Sequence, residues 1–368
     1  MHQIPLIKIE KHTKKRSLKI FIRNFIYQFA YTRINKYLYY NKYKKNILRR
    51  ANDIGLINTM VPTKYGGIGL SLSDNIIIAE ELSFQSLSIA VDIFIDTYGF
   101  LPLMMFGKKD QKERFLSILS SSNVHCGSMS YNMNVFFNSS LRAKLINSRY
   151  ILEGYDIKIN GSDKIYWVLV HAQTRMGYSI FLIDLKLSNL VIKKESFHIK
   201  YIDFKRVSVH PENRLGEEGE ALLIYRKTLN LINPIVSSMY IGNSISIIYN
   251  LIKIIKNIKY DNNRHYRYVS YVISELFVNI ETFKIIVQKS SNTCKDKLVY
   301  KVPFANCKLY SAELMIRCSI KSIKILKKNL LNIKASVQYF YNKYYLLNAI
   351  STDCNVEKIL LFQNLMKI

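Results

Sequence analysis

Residues Val61–Leu70 read VPTKYGGIGL, entered from Gly55-Leu56 and followed by the run Asn75–Phe84. Pro62 fixes its own φ and the pair Gly66-Gly67 relieves the β-carbon clash, so a turn is expected here. Beyond it, Ile76, Ile77, Ala79, Leu82, Ile89 and Val91 recur on one side, with Glu80 and Glu81 opposite. That is the pattern of an amphipathic helix with a solvated acidic face. Helix, glycine-rich turn, helix is what these residues give by themselves.

Working outward, residues 1–20 read as a basic arm, and residues 21–122 read as a helical domain. Its helices are expected over Phe21–Tyr31, Tyr43–Asp53, Asn75–Phe84, Ile89–Met105 and Gln111–Leu119, the last with Asp110 as its N-cap. Over residues 123–220 the period shortens. Tyr150–Leu152, Asp156–Asn160, Tyr166–Ala172, Tyr178–Leu185, Leu190–Lys193 and Arg206–Val209 are short, β-branched or aromatic, and divided by Gly, Asn or Asp turns. They predict a small antiparallel β domain, with Trp167 in its core. Over residues 221–368 the helical period returns, at Ala221–Leu231, Pro234–Ile255, Ser270–Ser290, Val302–Lys328 and Asn355–Met366. The fold class is therefore α+β: a helical N-terminal domain, a middle β domain and a C-terminal four-helix bundle.

Composition narrows the function. A chain of 368 residues with 49% hydrophobic and 22% charged residues is long enough and apolar enough for a large core. The net charge of +28 is spread along the chain and accompanies many Ile, Asn and Tyr. No basic-helix or RNA-binding module goes with it, so nucleic acid is not an expected partner. Five cysteines, Cys126, Cys294, Cys307, Cys318 and Cys354, have no metal-ligand spacing and an odd count, which argues against a disulfide framework. His125, His171, His198, His210 and His265 show no ligand spacing either, so no metal site is expected. No window reaches ~18 uninterrupted apolar residues, and the longest candidate, Leu87–Phe106, is broken by Asp92 and Asp96. A transmembrane span is not expected. The basic first fifty residues carry Glu10 as their one acidic side chain, which suits a mitochondrial transit peptide, and a cytoplasmic protein is the other reading.

Several ordered strings resemble the acyl-CoA dehydrogenase family. The opening GL…VPTKYGGIGL…EEL is similar to the family's first-domain signature. GKKDQKERFL, with Gly107, Gln111, Lys112 and Leu116, is similar to the string that begins a later helix. VSVHPENRLGEEGEAL (Val207–Leu222) and CKLYSAEL extend the likeness into the C-terminal half. The resemblance implies FAD-dependent α,β-dehydrogenation of an acyl-CoA thioester, or of an acyl carrier, with electrons passed to an electron-transfer acceptor. It also implies a homo-oligomer, or pairing with a paralogue.

That chemistry needs a carboxylate base for the α-proton. The family's last-loop glutamate falls on Ser351, followed by Thr352 and Asp353, and Asp353 is the nearby carboxylate available as a substitute. An alternative glutamate position, on an earlier helix, holds Ile232, and the neighbouring substrate-linked arginine becomes Asn233. For the flavin, Ser128 or Ser130 falls where a hydroxyl meets the pyrimidine edge. Asn160 stands where a threonine meets the ring, and Lys158 replaces an aromatic plate. Lys256 replaces the arginine of the pyrophosphate half, with Lys259-Tyr260 and Arg267 in its neighbouring positions. Lys327 and Lys328 replace a glycine pair. Scaffold strings thus survive where cofactor strings do not, which leaves a second reading: a catalytically inactive member kept as a binding or assembly subunit. Glu217-Glu218, like Glu80-Glu81, read as solvated.

Overall fold

The structure, a computed structural model, describes residues 15–30, 40–121, 125–129, 140–161, 165–186, 189–194, 199–256, 263–292 and 302–328, with single positions at 358 and 362. The helix expected over Asn355–Met366, the fourth of the C-terminal bundle, lies outside the described residues, as do Ser130, Ser351 and Asp353.

Six helices are described before the sheet: α1 (Lys15–Ala30), α2 (Tyr40–Asp53), α3 (Leu72–Gln85), α4 (Leu87–Phe94), α5 (Thr97–Phe106) and α6 (Lys109–Ser121). The first starts inside the expected basic arm, because Leu18, Ile22, Phe25 and Ile26 fall at helical spacing and are all buried. The turn Val61–Leu70 folds as its residues dictate. Gly66 adopts φ 83°, and the backbone N–H of Gly69 returns to the Val61 carbonyl at 2.8 Å. A Cβ on Gly67 would overlap that same carbonyl. Ser71 then caps α3, its hydroxyl accepting from the Asp74 N–H while Asp74 accepts from the Ser71 N–H.

Three local expectations change. The helix expected over Ile89–Met105 is two, α4 and α5, broken where the Thr97 hydroxyl bonds the Phe94 carbonyl in place of the helical ladder. Asp110 lies inside the first turn of α6 rather than capping it. Glu80 and Glu81 are not solvated: they are 4% and 3% exposed. Glu80 pairs with Lys284, and Glu81 takes a two-pronged bond from Arg23 at 2.7 and 3.0 Å.

The sheet comprises β1 (His125–Met129), β2 (Arg142–Ile146), β3 (Arg149–Asn160), β4 (Ile165–Thr174), β5 (Gly177–Asp184), β6 (Leu190–Lys194), β7 (Ile199–Val209) and β8 (Arg214–Leu215). Its order is β6-β7-β3-β1-β4-β5-β8, with β2 against β3 and β4. Most pairs are antiparallel, while β1 runs parallel to β4. Strands β1 and β2 have no counterpart among the expected strands, and β3 merges two of them across register shifts flanking Gly154.

The helices α7 (Ala221–Ile255), α8 (Asn263–Asn292) and α9 (Val302–Lys328) follow. Two helices expected at Ala221–Leu231 and Pro234–Ile255 are one, which runs through Pro234. Proline there removes a ladder bond at a cost of about 3 kcal/mol. Burial of the turns on both sides, Leu229 to Ile232 and Ile235 to Met239, outweighs it. Leu87–Phe106 and Ala221–Ile255 are long and apolar enough to cross a membrane, yet 83% and 78% of their apolar windows are buried within the fold.

Two hydrophobic cores result. One joins the helices to one face of the sheet through Cys126, Trp167, Leu169, Ile180 and Leu182. The other lies on the opposite face, around Met129, Ile157, Ile159, Val168, Val170, Ile202 and Phe204. Trp167 is fully buried, as expected, edge-on to Phe115 of α6 with ring centroids 5.5 Å apart. It is a joint between the sheet and the helices as much as a sheet-core residue.

Candidate functional site

On strands β1 and β3, successive side chains alternate between the two cores. Ile157, Ile159 and Met129 belong to the core remote from the helices, so Lys158, Asn160 and Ser128 face the other way, toward the helical side. Ser128 and Asn160 are direct cross-strand partners. Both are buried, at 2% and 3% exposure, and Ser128 Oγ and Asn160 Oδ1 have no hydrogen-bond partner among the described residues. Buried polar groups are satisfied in the great majority of cases, and an unmet one costs about 1–3 kcal/mol. Here two such atoms lie side by side on one face of the sheet.

Beside this pair, Ser128 lines a cavity of ≈ 20 Å³ with Met129, Leu169, Val170, His171, Ile180 and Tyr225. That is room for about one water. Tyr225 places α7 against this part of the sheet, and helical periodicity puts Ile232 on the same face two turns on. Ile232 is 1% exposed and packs in the core between helices and sheet, and Asn233 is fully buried. The α7 position for a base is therefore occupied by apolar packing. Asp353 and Ser351 lie outside the described residues. Lys256 is exposed just past the end of α7 and Arg267 is exposed on α8, while Lys327 and Lys328 fall in the last turn of α9.

A buried charge cluster, which sequence reasoning missed, sits at the start of β1. His125 Nδ1 lies 2.7 Å from Asp96 Oδ2, and the Cys126 thiol donates to the Asp96 carbonyl at 3.2 Å. Burial by itself lowers the His125 pKa. The Asp96 charge and hydrogen bond, helped by Asp92 and opposed by Lys200, more than reverse this, so the pKa is raised. The imidazolium is thereby favoured, and β1 is tied to the break between α4 and α5 three residues from Ser128. The sequence held a signal for it: two carboxylates four residues apart in an apolar run need buried partners.

The strings that read as scaffold form latches between elements. Gln111 Nε2 donates to the carbonyls of Glu212 and Arg214 at 2.6 and 2.9 Å, which joins α6 to the end of the sheet. In the LGEEGE segment, the Tyr150 hydroxyl donates to Glu218 and accepts from Arg214, both at 3.0 Å. Glu218, expected to be solvated, is thus a half-buried partner of Tyr150, while Glu217 stays exposed beside Arg214. The Gly219 N–H reaches Ser179 Oγ at 2.9 Å.

Ser128 and Asn160 fit the hydrogen-bonding edge of a flavin: a free hydroxyl and an amide oxygen without a donor, adjacent and out of water. Among the described residues no cluster of His, Cys, Asp or Glu has the makings of a metal site.

Comparison with known proteins bears on the fold that carries this arrangement. The sequence profile described as acyl-CoA dehydrogenase, N-terminal domain, matches residues 14–123. The chain is 22% identical over 265 residues to a probable medium-chain specific acyl-CoA dehydrogenase 2 of Caenorhabditis briggsae, covering 67% of this chain and 65% of that one, just under two thirds of its length. It is 22% identical over 341 residues to a caffeyl-CoA reductase–Etf complex subunit of Acetobacterium woodii, covering 86% and 85%. Among solved structures, butyryl-CoA dehydrogenase from Megasphaera elsdenii superposes with a TM-score of 0.81 at 16% identity, covering 97% of this chain and 100% of that one, which shows the shared fold.

Proposed function

We propose that this chain, a divergent member of the acyl-CoA dehydrogenase family, binds FAD against Ser128 and Asn160 and acts on an acyl thioester. The observation that carries this reading is the adjacent pair of buried, unmet polar atoms on the face of the sheet toward the helices. FAD, when bound, supplies the acceptor for the hydrogen lost from the β-carbon. The Ser128 hydroxyl and Asn160 amide orient the flavin edge and keep water from it. Lys256, Arg267, Lys327 and Lys328 are the cations proposed for the phosphates, with point charges replacing close backbone approach.

Removal of the α-proton is assigned to the Asp353 carboxylate, because Ile232 closes the position on α7 and the neutral Ser351 hydroxyl is too weak a base to take the proton. The same burial of Ile232 favours a second reading, in which the fold is retained as a binding or assembly subunit. The substrate is proposed as an acyl-CoA or acyl-carrier thioester. The electron acceptor is proposed to be of the Etf kind, on the name of the Acetobacterium relative. Self-association is proposed through α8, where Tyr271, Val278 and Ile285 recur every seventh residue at 69%, 63% and 52% exposure.

The test is the visible spectrum of FAD-loaded protein as a panel of acyl-CoA thioesters is added. Bleaching with one of them, abolished in Asp353→Asn at unchanged flavin content, supports the enzyme reading. Flavin uptake without bleaching by any thioester sinks it and leaves the binding subunit.

A further inference from the structure

Lys158 lies two residues before Asn160 on β3, and the register with β7 runs without interruption from Ile157↔Ile202 to Asn160↔Ile199. Alternation therefore holds over this stretch, and Lys158 shares the face of Asn160 and Ser128, about 7 Å along the strand from Asn160. The side chain is half-buried. The neighbouring carboxylates on β3 and β7 are already engaged. Lys193 bonds Asp156 at 3.0 Å and Asp203 at 2.9 Å, and Asp203 also accepts from the Asp156 N–H. Lys158 thus has no ion-pair partner among the described residues. A ligand bearing negative charge would supply this lysine with the counter-charge that the described residues do not.

We infer that Lys158 gives this site a preference for an anionic ring, so that the two-electron-reduced, anionic flavin is held more tightly than the neutral oxidised flavin. The inference rests on the flavin reading above and adds to it a residue that tunes the bound ring. Charge near the ring nitrogens is one of the levers by which proteins set flavin electronics. For a ring held at Ser128 and Asn160, one unit charge on the same face of the strand would change the relative affinity of the two forms on the order of tenfold. The effect needs the cation and not its particular shape, so arginine should preserve it and methionine should not.

The experiment is an anaerobic titration of the full-length protein with FAD and, separately, with dithionite-reduced FAD, followed by absorbance and fluorescence. The ratio of the two dissociation constants is compared in wild type, Lys158→Met and Lys158→Arg. The expected result is a ratio favouring reduced FAD in wild type, a loss on the order of tenfold in Lys158→Met, and near-wild-type behaviour in Lys158→Arg. Lys158→Gln serves as a second neutral variant if Lys158→Met does not fold. An unchanged ratio in a folded neutral variant overturns the role of Lys158 and leaves flavin binding intact. Uptake of neither form by wild type overturns the flavin reading itself, and this one with it.

Discussion

Ser128 and Asn160 stand directly across from each other on β1 and β3, each burying a side-chain oxygen that no group among the described residues meets. Evolution towards stability alone would fill these positions with apolar side chains, as at Leu169 and Ile180 on the same side of the sheet. Ser128→Ala is therefore expected to leave the flavin-free protein as stable or to stabilise it by about 1 kcal/mol, since an unmet buried hydroxyl is removed. Urea unfolding of the flavin-free variant reads this out. A loss of 2 kcal/mol or so would mean that the hydroxyl is already satisfied within the protein.

The Asp96–His125 pair predicts a sign for pH dependence. The ordinary histidine value is about 6.5, and that of His125 in the fold is raised. Its contribution to stability is complete below the unfolded value and fades as pH rises through the folded one. His125→Gln should thus cost more stability at about pH 6 than at about pH 9, by denaturant unfolding at each pH. An equal cost at both would remove the charge from the account and leave only packing.

Arg23 and Glu81 should not be equivalent. Arg23 is 59% exposed at its side chain and Glu81 only 4%, so deleting the arginine strands a buried carboxylate while deleting the carboxylate frees a solvated guanidinium. Lys19, 3.8 Å away, relieves part of this. Arg23→Ala is expected to cost about 2–3 kcal/mol, and Glu81→Gln less than half of that. The double variant should resemble Glu81→Gln alone in a double-mutant cycle. Equal and additive costs would contradict the asymmetry.

Gly242 brings α7 into backbone contact with α3. A Cβ there would overlap the Glu80 carbonyl and the Ser83 hydroxyl. Gly242→Ala is expected to destabilise by about 1–3 kcal/mol despite the better helix propensity of alanine. A stabilised variant, measured by thermal unfolding, would show that the two helices separate without cost.

Much of this fold was legible because its signals are local. The glycine turn at Gly66 and the full span of Val302–Lys328 follow from neighbouring residues. What was misread depends on partners far along the chain. Glu80 and Glu81 look solvated until Lys284 and Arg23 arrive from other helices. Strand β1, His-Cys-Gly-Ser-Met, has no β-branched residue and exists because β3 and β4 pair with it. The site divides the same way. Ser128 and Asn160 were nameable one at a time by family likeness, but their opposition is tertiary. So is the pairing of Asp96 with His125.

The most direct test of the central claim is FAD uptake, followed by the visible spectrum after gel filtration, in wild type, Ser128→Ala and Asn160→Leu. If the paired unmet atoms are the flavin edge, wild type takes up FAD. Each variant then binds it at least tenfold more weakly, a loss of about 1.4 kcal/mol, while unfolding no more readily without it. Uptake by both variants with wild-type affinity would contradict the account, and the flavin would have to be held elsewhere or not at all.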